Sequence, residues 1–261
     1  ASDVYKRQDK DDSIQFSAFA KVNSSKCEPV VMDEQFNSAV TDIFRNEYLS
    51  PRSPYTTLQI PKQGIGEWCH PLHTVDIDDS GLRSSVQKGV LNTKLGVPFR
   101  TPAEGQNIAF TSLWDNYPDS LTVSLKGKAS RVYLLMAGST NHMQCHIDNG
   151  LIRVYYKDGT CDKMALRNPD NWAPIEHIFF EDGLAFNRHA PALYRLRLKT
   201  GEISNNFGEE LGFPGASREL DGGAAILLEM PLNPDKKLSH LVLETLSNDV
   251  VIGLMGITLQ R

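Results

Sequence analysis

Between Gly105 and Thr140 the chain carries three apolar runs, separated by the turns Trp114-Asp-Asn-Tyr-Pro-Asp119 and Lys126-Gly-Lys128. Strand side chains alternate with period two, which puts Ile108, Phe110 and Ser112 on one face of the first run. Leu121, Val123 and Leu125 likewise share one face of the second. The third, Arg131 to Ala137, is almost continuously apolar and predicts a strand covered on both faces. Strand-like runs recur downstream at Leu151–Tyr156, Cys161–Leu166, Ile175–Phe180, Leu193–Lys199, Gly223–Met230, Ser239–Thr245 and Val250–Leu259. Asp158-Gly159 between two β-rich runs predicts a hairpin with positive φ. Gly, Pro and Asn punctuate the runs, and long helical periodicity is absent. The pattern predicts an all-β, antiparallel β-sandwich of the jelly-roll kind.

The N-terminal third is less regular. Asp3-Val-Tyr-Lys-Arg-Gln8 matches the translation of a transposon mosaic-end adapter, so residues 1–8 are set aside from fold reasoning and the natural protein is expected to begin further upstream. Residues 9–35, with one alternating run at Ile14–Phe19, read as a tail or as the last strand of a preceding domain. Residues 36–261 read as the sandwich domain. Phe36, Val40, Ile43 and Phe44 are spaced for one short amphipathic helix within residues 33–46, with Asp33 placed to cap it. Pro51 and Pro54 break the chain, Tyr55–Ile60 is β-rich, and Gly64–Pro71 forms a loop around Trp68. The polar, glycine-bearing stretch Thr74–Thr101 reads as a long loop, a length usually tied to function or mobility.

A net charge of −5 and the lack of any Lys/Arg run argue against nucleic acid as a partner. The apolar runs are too short to span a bilayer. Cys27, Cys69, Cys145 and Cys161 are too few for a disulfide scaffold at this length, and buried thiols are the simplest reading.

Several of these residues carry a family resemblance. Ile108-Ala-Phe-Thr-Ser-Leu-Trp-Asp-Asn-Tyr-Pro118 leads into Leu121-Thr-Val-Ser-Leu125 and then Ala129-Ser-Arg-Val-Tyr-Leu-Leu-Met-Ala-Gly-Ser-Thr140. Val154-Tyr-Tyr-Lys-Asp-Gly-Thr160 and Asn171-Trp172 follow. Together they resemble the galactose-binding-like jelly roll appended to large bacterial glycoside hydrolases. More narrowly, they resemble the C-terminal part of long, exported, glycosidase-like proteins of polysaccharide-degrading gut bacteria. The resemblance spans residues 36–261. It implies a non-catalytic accessory module, periplasmic or extracellular, whose partner is a glycan or the catalytic domain of its parent chain. Two alternatives stay open: part of a glycosidase active site completed by an upstream domain, and a protein-interaction sandwich without a small ligand. Fold alone does not choose among them.

Sugars offer apolar C–H faces that stack on rings and hydroxyls that pair with planar polar groups. Trp68, Trp114, Trp172 and Tyr117 are the ring candidates. Glu67, Asp115, Asn116 and Asp119 are their polar neighbours. Each ring could equally close an end of the sandwich. Cys69-His70-Pro-Leu-His73 and His142-Met-Gln-Cys145-His146 hold soft ligands but lack zinc-finger spacing. No metal or cofactor is expected, with one exception kept open: calcium at Asp76, Asp78 and Asp79, a cluster lacking the later bidentate Glu of the EF-hand. Glu67 beside Trp68 and Glu176 beside His177 are the carboxylates in the most apolar settings. No nucleophile elbow, zincin motif or phosphate-cradling glycine loop occurs.

Overall fold

The computed structural model describes residues 19–50, 76–141, 144–179, 186–213 and 218–261. Glu67, Trp68, Cys69, His70, His73, His142 and the runs at 55–60 and 64–71 lie outside them. So does all of the 14–19 run except Phe19.

The strands are β1 (Cys27–Pro29), β2 (Val86–Gln87), β3 (Val90–Asn92), β4 (Pro98–Arg100), β5 (Ala109–Ser112), β6 (Ser120–Ser124) and β7 (Arg131–Thr140). They continue as β8 (Asp148–Tyr156), β9 (Cys161–Arg167), β10 (Tyr194–Arg197), β11 (Ile203–Ser204), β12 (Ala224–Pro231), β13 (Leu238–Thr245) and β14 (Val250–Gln260). A seven-stranded sheet runs β1-β14-β7-β12-β10-β11, with β5 also paired to β14. A four-stranded sheet runs β6-β13-β8-β9, and β2-β3-β4 form a small third sheet. The named pairings are all antiparallel, and the chain crosses repeatedly between the two larger sheets. This is an all-β sandwich.

Period-two alternation explains its two cores. On β7, Val132, Leu134 and Met136 face the four-stranded sheet and pack with Ile152, Val154, Leu241 and Leu243. Tyr133, Leu135 and Ala137 point the other way and pack under Val40, Ile43, Leu82, Phe99 and Phe110. The larger sheet is therefore covered on both faces, as the unbroken apolar run of β7 predicts. Burial and a Glu229 carboxylate raise the Tyr133 phenol to about 12, so it is a neutral core group at physiological pH.

The Asp-Gly hairpin joins β8 to β9, with Tyr155 opposite Cys161. Gly159 takes φ 84° and Asp158 Oδ1 accepts the Thr160 N–H at 3.0 Å. Cys161 is exposed, unlike the buried thiol expected, because it opens β9 at this surface turn; Cys27 and Cys145 are half-buried.

Three expectations change. Residues 33–46 form no α-helix but two 3-10 turns, Asp33–Gln35 and Val40–Asp42. The backbone between them pairs elsewhere: the Asn37 and Ser38 N–H groups donate to Ile108 O, and the Val40 N–H donates to Asn107 Oδ1 at 2.9 Å. Residues 74–101 are no bare loop, since their described part holds helix α1 (Ser80–Ser84) and the small sheet. Ile175–Phe179 forms no strand, only an isolated antiparallel bridge of His177 with Glu219.

Asn107 fastens this outer layer. It is fully buried, it accepts from Val40, and its Nδ2 donates to Asp79 Oδ2 at 2.8 Å. Asn107→Ala is expected to cost about 1–3 kcal/mol, because it leaves a buried N–H and a buried carboxylate short of a partner. Urea denaturation checks this; a loss under a few tenths would refute the fastening role.

Candidate functional site

Two of the three tryptophans are core residues. Trp114 is 2% exposed and donates its Nε1–H to Asn248 O at 3.0 Å. Trp172 is fully buried and donates to Thr140 Oγ1. Rings enclosed this way present no face to a sugar. Tyr117 is buried beside Phe110, with centroids 5.1 Å apart, and its hydroxyl accepts from Asn46 Nδ2. Asp115 accepts from Ser50 Oγ, while Asn116 donates to Glu47 O and accepts from the Leu49 N–H. The turn at 114–119 is thus latched to residues 46–50. Asn116 and Tyr117 do line a shallow polar recess of about 460 Å³ with Asn37, Asp42 and Asn46, but no open aromatic face borders it.

The acidic loop is also committed to structure. Asp78 accepts from the Ser80 hydroxyl and, at 2.9 Å, from the Ser80 N–H, and the two together hold its carboxyl below the ordinary aspartate range. Asp79 pairs with Arg83 Nε at 2.8 Å and with Asn107. Asp76, Asp78 and Asp79 are not among the carboxylates that converge on one point, so no calcium cage is present among the described residues.

A cleft of about 420 Å³ opens elsewhere, where the chain leaves β9 and returns through β10, β11 and helix α2 (Phe207–Glu210). Arg195 on β10 builds its floor. This guanidinium is 5% exposed and donates to His177 O and Pro174 O at 2.7 Å each, and to Ala224 O at 3.0 Å. The fork thus satisfies the Pro174 and His177 carbonyls, while Ile175 O accepts the Ala224 N–H and Glu176 O the Leu220 N–H, so this segment meets the neighbouring backbone through single bonds and one bridge, His177 with Glu219, and not as a strand. Burial pulls the Arg195 group down to about 10, opposed by the fully buried Glu176 carboxylate, and it stays cationic at neutral pH. Phe179, just past the clamped segment, stacks on Phe186 with centroids 4.5 Å apart and planes 12° off parallel. Both half-buried rings line the cleft, as do Arg188, Arg218, Asn205 and Glu209.

At the cleft's edge three further side chains converge. Asp170, 2% exposed, lies between His146 and His189, with Nδ1 atoms 3.6 and 3.7 Å from its two oxygens. Its Oδ1 also accepts the His189 N–H at 2.7 Å. His146 sits at φ 54° and donates its N–H to Asn168 O at 2.7 Å, and the two imidazoles are 4.9 Å apart.

The pattern of strands does not disclose these residues. The signals that could have marked them are the turn-forming Asn168-Pro-Asp-Asn171 and the Arg188-His-Ala-Pro191 stretch, polar punctuation of the kind that carries function on loops. No family model, curated protein or solved structure matches the chain. Among the described residues no helix is long and apolar enough to cross a membrane.

Proposed function

We propose that the chain is a non-catalytic, glycan-binding β-sandwich module of a larger carbohydrate-active protein, and that the cleft beside Phe179 and Phe186 is its binding site. The observation that carries the reading is the stacked phenylalanine pair in a concave, open site beside planar polar side chains. An apolar ring wall suits the C–H face of a sugar, and Arg188, Arg218, Asn205 and Glu209 offer the paired donors and acceptors that hydroxyls need. The buried Trp114 and Trp172 support the architecture and take no part in binding.

Isothermal titration against neutral and uronate-containing glycans tests this. Binding to at least one of them is expected, and Phe186→Ala is expected to weaken it about tenfold or more, the loss of one ring contact being worth roughly 1–2 kcal/mol. No heat with any glycan, or unchanged affinity in Phe186→Ala, would overturn the assignment.

A further inference from the structure

We infer that His146, Asp170 and His189 form a site for a first-row divalent cation such as zinc, at the edge of the cleft. The Nδ1 atoms of the two histidines lie 3.6 and 3.7 Å from the Asp170 oxygens, and all three ligand atoms fall within 4.8 Å of one another. Those separations exceed an N–H···O hydrogen bond, whose heavy atoms sit about 2.7–3.2 Å apart. They suit atoms gathered around one ion, because ligands held at about 2.0–2.2 Å in a tetrahedron lie roughly 3.3 Å from each other. The set is looser than a tetrahedron, with ligand atoms up to 4.8 Å apart, so binding needs a closing movement of about an ångström, and His189 can make it, its side chain being 64% exposed.

Charge points the same way. The Asp170 side chain is 2% exposed, and among the described residues its charge partners are the two imidazoles, with no Lys or Arg beside it. A buried carboxylate without a permanent cation is costly. A divalent ion supplies that cation while both imidazoles stay neutral, which is the form in which they ligate. Two nitrogens and one carboxylate oxygen suit zinc and its first-row neighbours rather than calcium, which takes six to eight oxygens.

Support for the ligands is in place. His146 is fixed by its backbone bond to Asn168 and by the parallel bridge of Cys145 to Asn168. The carboxylate of Asp170 is oriented by the His189 backbone N–H on Oδ1, with Oδ1 beside His189 Nδ1 and Oδ2 beside His146 Nδ1, so it can turn either oxygen to the ion. The exposed side of His189 leaves a fourth position open to water or to a ligand. Pro169 and Arg188, the chain neighbours of Asp170 and His189, line the cleft, so the ion would stand at its mouth.

The test uses the full chain carrying no polyhistidine tag. Titration with zinc alone is expected to show one tight equivalent, and cobalt substitution a visible spectrum of tetrahedral or five-coordinate type without a thiolate charge-transfer band. Loss of even a supporting partner of a ligand costs about 10–100-fold in affinity, so His189→Ala and Asp170→Asn are each expected to lose more than that. His189 is exposed, so His189→Ala should keep its fold, checked by an unchanged melting temperature without metal. Cys145→Ser should leave affinity unaltered. No tight equivalent, binding that survives His189→Ala, or a thiolate band would each overturn the site. Glycan titration of His189→Ala without metal is a separate measurement, so failure of the ion site and of the glycan cleft are distinguishable.

Discussion

Trp172→Ala is expected to lower the unfolding free energy by about 3–5 kcal/mol, the usual loss when a fully buried aromatic is truncated. The ring lies in the core between the two large sheets. Its Nε1–H satisfies Thr140 Oγ1, and its six-membered ring covers Gly138 so closely that a Cβ there would stand 2.7 Å from Trp172 Cζ2 and 2.1 Å from Val251 O. Sheet and ring are matched shapes, and deleting the ring opens a void beside rigid backbone that cannot close over it. For a domain of this size the melting temperature should fall by about 6–20 °C. Trp172→Phe keeps part of the ring but drops the donor and should lose less. Urea denaturation followed by circular dichroism measures both. A Trp172→Ala loss below about 1 kcal/mol would show that the ring is not the keystone described.

Arg195→Met should cost a comparable amount, about 3–5 kcal/mol, with a different signature. The substitution keeps much of the stem's volume but removes the donors from the carbonyls of Pro174, His177 and Ala224, together with the positive charge that attracts the buried Glu176. Breaking one side of such a buried arrangement is far more damaging than replacing the whole of it. Arg195→Lys retains the charge as a point but not the planar fork, and is expected to recover only part of the loss. On the proposed reading of the cleft as a glycan site, affinity should also fall in Arg195→Met, because Phe179 follows the clamped segment directly. Unaltered stability would mean that the carbonyls of Pro174, His177 and Ala224 find other donors, and would sink the clamp.

The sandwich was readable from sequence because its strands announce themselves. Runs such as Arg131–Ala137 and Val250–Leu259 are apolar on both faces, and they appear as β7 and β14 with ends displaced by a few residues. The outer layer was not readable. Val40, Ile43, Leu82, Val97 and Phe99 are buried there from turns, a one-turn helix and two-to-three-residue strands, none long enough to show a period. Helical spacing at 36–44 misled for a related reason: the backbone found partners in residues 107–108, and tertiary pairing overrode local preference.

Site residues suffered a sharper inversion. Tryptophan is the residue type first sought as a sugar platform, yet Trp114 and Trp172 are enclosed, and the stacked rings that line the larger apolar cleft are Phe179 and Phe186. His146 stood out beside Cys145, but its partners Asp170 and His189 are far along the chain and meet it only through the fold. Side-chain type alone does not say which face of a wall a ring will occupy.

The placement of β14 has a consequence for biogenesis. This strand is held along one edge by β7, and along the other by β1 at its C-terminal end and β5 at its N-terminal end. It is also the last strand in the order of synthesis among those described. As a ribosome extends the chain, β1, β5 and β7 emerge with apolar faces and unfilled edges and must wait for their common neighbour. Closure of the large sheet is therefore deferred until Val250–Gln260 has cleared the exit tunnel. Until then the nascent sandwich is a set of sticky edges, and holding it apart from other chains becomes a task for chaperones rather than for its own sequence.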